Sequence, residues 1–123
     1  MEKHPEHKAD FKELTERYIV KVGDSVIVDT TNAIQLTESS HRGVYPPVLY
    51  FPFNDTAKEY LVPSDLHTFC PLKGEASYYD LVVGDKALEN AVWYYPQPLE
   101  YVPELKGYLS FYTDKVKIET IGD

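Results

Sequence analysis

Two strand-like runs joined by a glycine-containing pair constrain the fold of this chain most. Glu75–Val83 and Lys86–Tyr94 alternate apolar and polar side chains, and Gly84-Asp85 lies between them. Because glycine followed by another residue is a preferred two-residue hairpin loop, the pattern predicts an antiparallel β-hairpin. This hairpin is the starting point for predicting a mainly β fold.

The same alternation predicts strands on both sides of this hairpin. Arg17–Val22 and Ser25–Asp29 flank Gly23-Asp24, so they predict a second hairpin. The remaining predicted elements are strands at Ala33–Thr37, Val48–Phe51, Leu109–Tyr112 and Val116–Glu119, and a short helix or turn near Val102–Lys106. The sequence therefore predicts a mainly β fold, a single compact tent-like or barrel-like antiparallel sheet domain with one or two short helices.

Prolines shape the middle of the chain. Five of them lie between residues 41 and 71, at positions 46, 47, 52, 63 and 71. Proline lacks the N–H that a central strand must donate, so this part is predicted to contain short edge strands and fixed loops. The aromatic residues here, which include Tyr50, Phe51 and Tyr60, predict that the loops are packed.

The N-terminal segment differs in composition from the rest. Residues 1–16 are charged and polar, and they predict a loosely attached arm, with a short helix over Ala9–Glu16 as the alternative. Residues 17–123 then form a single β-rich domain. This division suits a chain of 123 residues, because domains commonly run to roughly 100–150 residues.

Charge and cysteine content narrow the classes of function. The net charge of −8 argues against nucleic acid as a partner, because binding to a phosphate backbone depends on clustered Lys and Arg. A small anion held by one or two local cations stays compatible with that charge. The single cysteine excludes an internal disulfide and a Cys-rich zinc site, and the scattered His and Asp residues lack metal-ligand spacing. The expectation is no metal and no cofactor.

The chain also lacks the patterns of export and membrane insertion. Its N-terminal stretch has no apolar core of the kind that a signal peptide needs. No apolar run approaches the roughly 20 residues of a membrane helix. The expectation is therefore a cytoplasmic protein with no membrane partner.

A two-residue loop at Gly84-Asp85 fixes the pairing of the predicted hairpin. The predicted pairs are Tyr79 with Asn90, Ser77 with Val92, and Glu75 with Tyr94. Polar side chains then gather at the open end of one face, where Lys73 and Glu75 could pair with each other or jointly hold a polar ligand. Gly74 between them leaves room for a close approach.

Two further groups of residues carry chemistry. His67 and Cys70 suggest a base and a nucleophile, but three positions apart on an extended strand they face opposite sides. A free cysteine is most often a small buried residue. The aromatic cluster of residues 93–95, beside Pro96, is the most pocket-like feature, because aromatic walls suit flat or cationic ligands.

Four motifs carry a resemblance to a bacterial protein family. They are residues 45–52, residues 63–79 with the order T-x-C-P-x-K-G-E-A-S-Y, residues 89–98 with E-N-A-x-W-x-Y-x-x-P, and residues 107–112. Over residues 18–118 the chain resembles the family called domain of unknown function 427. The resemblance implies a compact β-rich domain, similar in architecture to the β-tent folds of methionine sulfoxide reductase B and the cereblon ligand-binding domain.

What the resemblance implies about chemistry is narrower. β-Tent relatives commonly hold zinc through paired Cys-x-x-Cys motifs, whereas Cys70 alone supplies neither that site nor the second thiol of reductase chemistry. The nucleotidyltransferase-like label of the family implies an Asp-x-Asp pair after a Gly-Ser turn, which this sequence lacks. The positions that match the family pattern and offer chemistry are His67, Lys73, Glu75, Ser77, Tyr79, Asn90, Trp93 and Tyr95.

Three functional hypotheses follow from these residues. In the first, the protein binds a small polar or aromatic molecule, with Lys73 supplying positive charge and Glu75 an acceptor. Asn90 would orient this ligand, and Trp93 or Tyr95 would stack on it. In the second, the protein is a transferase-like enzyme that uses Lys73 and Glu75 as its catalytic acid–base pair. In the third, the tyrosine-rich surface is a protein–protein interaction module, a homodimer included.

Overall fold

The computed structural model describes residues 8–40, 43–70, 73–99 and 102–121. These residues form the strands β1 (Lys8–Glu13), β2 (Arg17–Val22), β3 (Ser25–Thr30), β4 (Ile34–Ser40), β5 (Gly43–Val44), β6 (Val48–Pro52), β7 (Leu61–Cys70), β8 (Gly74–Val83), β9 (Lys86–Tyr94), β10 (Tyr108–Phe111) and β11 (Lys117–Ile121). Short 3₁₀ helices cover Phe53–Asp55, Lys58–Tyr60 and Pro103–Leu105. The predicted mainly β class is confirmed.

The strands form two antiparallel sheets. The larger sheet has eight strands in the order β1-β4-β6-β10-β9-β8-β7, with β5 paired to β4. The smaller sheet has the order β11-β2-β3. Neighbours in the larger sheet are therefore often distant in sequence, and β10 from the tail lies between β6 and β9.

The hairpin at Gly84-Asp85 is confirmed, but its predicted register holds only near the loop. Val83 is opposite Lys86, as predicted. Beyond Leu81 the predicted pairs are wrong. Tyr79 lies opposite Val92, Tyr78 opposite Trp93, and Ser77 opposite Tyr94. Leu81 pairs with Leu88, and Tyr79, two residues away on β8, pairs with Val92, four residues away on β9. The two extra residues of β9 leave Asn90 without a partner position in the ladder.

An irregularity at Asn90 causes this shift. Asn90 has a left-handed backbone with φ of 53°, and its N–H donates a 2.7 Å hydrogen bond to Asp80 Oδ1. Its side-chain oxygen accepts a hydrogen bond from the Ser64 hydroxyl. Because the shift spans an even number of residues, Trp93 and Tyr94 keep their predicted faces of the sheet.

The hairpin at Gly23-Asp24 is also confirmed, with Val22 opposite Ser25. Here the register shifts after Val20, at a β-bulge in the partner strand. As a result the adjacent residues Ile27 and Val28 are both buried, where a regular strand would bury one of them.

The N-terminal segment is part of the larger sheet along residues 8–13. This stretch forms β1 and pairs with β4 from Lys8↔Ser39 to Glu13↔Ile34, so the helix over Ala9–Glu16 is wrong. The sequence of β1 is mostly polar, and its pairing depends on backbone hydrogen bonds and on Phe11 packing in the core. Residues 1–7 of the predicted arm lie outside the described residues.

The proline-rich middle forms two short strands, β5 and β6, and one long strand, β7, where only short strands were expected. β7 has ten residues and contains Pro63. The predicted edge position holds for β7, which ends the path of the larger sheet, but is wrong for β6, which lies between β4 and β10. Proline is tolerated in β7 because the unpaired side of an edge strand needs no N–H donor.

The two faces of the larger sheet bury separate cores. One face, here called the apolar face, packs on the smaller sheet through the buried cluster Leu14, Tyr18, Val20, Val22, Ile27, Val28, Ala33, Phe51, Leu81, Ala91, Val92, Leu109 and Phe111. The other face buries Ile34, Leu36, Tyr50, Ala76, Tyr78, Tyr95, Val102 and Leu105. Within the described residues, no helix is long and apolar enough to cross a membrane.

Candidate functional site

The second face carries a group of aromatic side chains with polar atoms, here called the tyrosine face and made of Tyr50, Tyr78, Trp93, Tyr95 and Tyr112. Tyr78 and Trp93 are opposite each other on β8 and β9, so their side chains point to the same side. Tyr50, Tyr78 and Tyr95 are buried in the second core, whereas Tyr112 is 40% exposed. The face therefore runs from a buried interior to an accessible edge.

Trp93 connects the rings of this face. Its ring lies 6.4 Å from Tyr50 in an edge-on arrangement and 4.7 Å from Tyr112 at an angle of 50°. Burial raises the pKa of Tyr50 to about 12, and a hydrogen bond with Trp93 opposes the rise. Tyr50 is therefore a neutral hydroxyl at physiological pH.

Hydroxyl groups are linked along the same face. Thr68 Oγ1 on β7 lies 2.9 Å from the Tyr78 hydroxyl. Burial, followed by a hydrogen bond with Tyr78, raises the pKa of Tyr112. Burial also raises the pKa of Tyr95. The hydroxyls of Tyr95 and Tyr112 therefore stay protonated at physiological pH and can both donate and accept hydrogen bonds.

An ion pair lies beside the buried part of the tyrosine face. Lys73 Nζ is 2.7 Å from Glu38 Oε1, and the two side chains are only 15% and 14% exposed. Glu38 is also close enough to act electrostatically on Tyr50 and Tyr95. The charge predicted for Lys73 is therefore present, and it is neutralised by a residue of β4 that the sequence analysis did not select.

Gly74 explains how the chain fits around Lys73. It has φ of +108°, and a Cβ there would lie 3.2 Å from the Gln97 carbonyl oxygen. Leu99 N–H donates a 3.0 Å hydrogen bond to the Lys73 carbonyl. The close approach predicted for Gly74 is made by the chain's own backbone.

Glu75 lies apart from Lys73. It is exposed on β8, opposite Phe69 of the edge strand β7. Lys73 instead has Glu38 as its partner. The Lys73–Glu75 acid–base pair of the enzyme hypothesis is thus not assembled in the structure.

His67 and Ser77 are paired across the edge of the sheet. His67 Nδ1 lies 3.1 Å from Ser77 Oγ, with His67 exposed and Ser77 buried. This contact brings together two predicted site residues. Asn90 has its backbone N–H and side-chain oxygen engaged by Asp80 and Ser64, so its observed role is to shape the hairpin.

Tyr79 lies on the apolar face, at the rim. Its ring stacks on Tyr94 at 4.8 Å and on Phe53 at 6.4 Å. Burial, and then a hydrogen bond with Tyr94, raises the pKa of Tyr79 to about 12. A pocket of about 220 Å³ adjoins this stack, lined by Phe53, Tyr79, Tyr94, Tyr95, Pro96, Gly107, Tyr108 and Leu109. The predicted site residues are thus divided between the two faces.

A larger cavity of about 340 Å³ opens beside Trp93, and we call it the Trp93 cavity. It is lined by Pro47, Val48, Leu49, Trp93, Ser110, Phe111, Tyr112, Thr113 and Ile118. The cavity lies where β6 and β10 separate, and the Ser110 hydroxyl spans them by donating a 2.7 Å hydrogen bond to the Leu49 carbonyl. None of its described lining residues is charged.

The sequence analysis missed most of this lining. Trp93 was selected, but Ser110, Tyr112 and Pro47 were not, although all three lie within the family motifs. The missing information was topological, because it is the place of β10 between β6 and β9 that brings residues 110–113 to Trp93. Across the described residues, no group of three or more His, Cys, Asp or Glu side chains could hold a metal ion.

Comparison with known proteins places the chain in a family. No curated protein shows significant similarity to it. Residues 10–122 match the family described as "Domain of unknown function (DUF427)". The match includes the strands that carry the tyrosine face and the residues around the Trp93 cavity. Because the match spans nearly the whole sequence, the chain belongs to the DUF427 family.

Proposed function

We propose that this protein binds a small, flat, uncharged molecule in the Trp93 cavity. The observation that carries the proposal is an accessible cavity of about 340 Å³ with aromatic walls and no charged residue in its described lining. Ligand sites of small molecules commonly have volumes of about 300–1,000 Å³ and a mostly apolar lining with a few placed polar groups. The cavity is at the small end of that range.

The walls favour a planar ring. Trp93 and Tyr112 meet at 50°, and Tyr112 is exposed enough to move when a ligand enters. Planar ligands gain both apolar burial and ring–ring attraction from such side chains. Pro47 and Val48 add aliphatic side chains to the lining.

The polar groups of the cavity favour a neutral ligand with hydrogen-bonding atoms. Tyr112 and Thr113 offer hydroxyls, and Ser110 retains acceptor capacity because its proton is donated to Leu49. Lys73, the cation beside the tyrosine face, is held by Glu38 at 2.7 Å and is not part of the described lining of the cavity. A strongly charged ligand would lose its hydration at this cavity without gaining a counter-charge.

The only tryptophan of the chain lines this cavity, so tryptophan fluorescence reports on it directly. We expect at least one compound in a panel of neutral heterocycles, such as nucleobases and nicotinamide, to change Trp93 emission in a saturable way. Tyr112→Ala removes one wall and should weaken binding about tenfold, since an aromatic contact is worth roughly 0.5–1.5 kcal/mol.

Phe69→Ala is the matched control, because it removes an aromatic ring that is 68% exposed and lies outside the cavity lining. It should leave the affinity unchanged. Equal weakening in Tyr112→Ala and Phe69→Ala, or a hit that binds Tyr112→Ala as tightly as the parent, would place the ligand elsewhere. A panel without any saturable response would remove the proposal.

A further inference from the structure

Four lysines converge on one surface depression, away from the tyrosine face. The depression has a volume of about 240 Å³ and is lined by Lys21, Val22, Gly23, Lys86, Leu88, Asp114, Lys115, Val116 and Lys117. We call it the lysine depression. It is formed by the ends of both hairpins together with the segment that joins β10 to β11.

This concentration of positive charge contrasts with the composition of the chain. The net charge is −8, with 20 Asp and Glu against 12 Lys and Arg, and four of those twelve line a single depression. Like charges placed close together repel, so gathering them has an electrostatic cost that a bound anion would offset.

The carboxylates near the depression offset only part of the charge. Glu119 lies 3.4 Å from both Lys21 and Lys117, and Asp114 is part of the lining. Lys86 and Lys115 form no ion pair with any described residue. The acidic residues of the two hairpin loops, Asp24 and Asp85, are exposed and are not part of the described lining.

We propose that the lysine depression binds the phosphate groups of a small phosphorylated molecule, a function beyond ligand binding in the Trp93 cavity. Lysine ammonium groups bind phosphate as point charges and need no fixed geometry. Val22, Leu88 and Val116 add apolar side chains to the described lining between the lysines. Inorganic diphosphate is the simplest probe of this chemistry.

Titration calorimetry with inorganic diphosphate tests the proposal on the full chain. We expect saturable binding that weakens as salt is added, because salt screens exposed charges. Lys86→Gln combined with Lys115→Gln removes two cations that make no described ion pair and should raise Kd about tenfold. Asp114→Asn removes a carboxylate of the lining and should lower Kd.

Lys12→Gln combined with Lys106→Gln is the matched control, because it removes the same two positive charges at exposed lysines outside the described lining of the depression. It should leave Kd unchanged. Equal losses of affinity in the two double variants would overturn the proposal, since they would show a response to net charge alone. Binding to anionic phospholipid vesicles without binding to diphosphate would also overturn it, in favour of a membrane surface.

Discussion

The apolar face and the tyrosine face of the larger sheet alternate along the same strands, yet they bury different chemistry. Leu81, Val92 and Leu109 pack with the smaller sheet, and among the buried members of this described cluster only Tyr18 carries a hydroxyl. The opposite face buries the hydroxyls of Tyr50 and Tyr95. Burying a polar group is costly unless it has a partner, so stability alone accounts for the apolar face more readily than for the tyrosine face. This difference between the two faces indicates that a functional role should be sought on the tyrosine face.

The largest expected effect comes from breaking the apolar face. Leu81 is fully buried, and Leu81→Ala should lower the free energy of unfolding by about 2–5 kcal/mol, through lost burial and the cavity left behind. Denaturant unfolding measures this loss. Leu66→Ala, at an exposed position on β7, should change stability by less than about 0.5 kcal/mol. Similar losses in both variants would contradict the assignment of Leu81 to the core.

An intermediate effect is expected at the ion pair beside the tyrosine face. Lys73→Met alone removes the 2.7 Å ion-pair contact of the largely buried Glu38 and should cost about 1–3 kcal/mol. Lys73→Met combined with Glu38→Leu should recover most of that loss, because the double variant buries two apolar side chains and leaves no charge at this position. Denaturant unfolding of Lys73→Met, Glu38→Leu and the double variant gives the coupling free energy between the two residues. If the two losses simply add, the pair is not a unit.

The smallest effect is expected from a single buried hydroxyl, and it depends on pH. The pKa of Tyr50 rises from 10.0 to about 12 on folding, so both states are protonated below pH 10. Between pH 10 and about 12 the unfolded chain loses this proton while the folded chain keeps it, and the free energy of unfolding falls as pH rises.

Tyr50→Phe removes this contribution and should flatten part of the alkaline decline. Tyr79→Phe is the counterpart on the apolar face, where the pKa also rises to about 12 but the ring is more accessible. The free energy of unfolding of each variant, measured by denaturant from pH 9 to 12, shows how much of the alkaline decline each tyrosine causes. An unaltered profile in Tyr50→Phe would contradict the cause given for its pKa.

Local sequence information predicted the parts of the fold that are locally determined. Both Gly-Asp loops lie where expected, because turn preference and alternation act over a few residues. The irregularity at Asn90 was not predictable in the same way, since it depends on contacts with Asp80 and Ser64 across two other strands. The polar strand β1 was missed because its pairing depends on β4.

The candidate site was only partly accessible to sequence reasoning for the same reason. Lys73 was selected for its charge and Trp93 for its ring, and both lie on or beside the tyrosine face. Glu38, the actual partner of Lys73, belongs to a strand far earlier in the chain. Glu75 was chosen because it lies two residues from Lys73, on one face of a predicted strand. In the structure β8 begins only at Gly74, whose φ of +108° departs from the extended conformation that this reasoning assumed.

The outer strand β7 has a consequence for how copies of this protein meet in concentrated solution. A long exposed sheet edge is a template for uncontrolled strand addition and aggregation. Here Pro63 has no N–H to offer, and the Leu66 N–H donates a 3.1 Å hydrogen bond to Ser64 Oγ within the same strand. The register with β8 shifts between Pro63 and His67. An incoming strand meets an interrupted ladder, so this edge is protected against fibril-like growth by its own sequence.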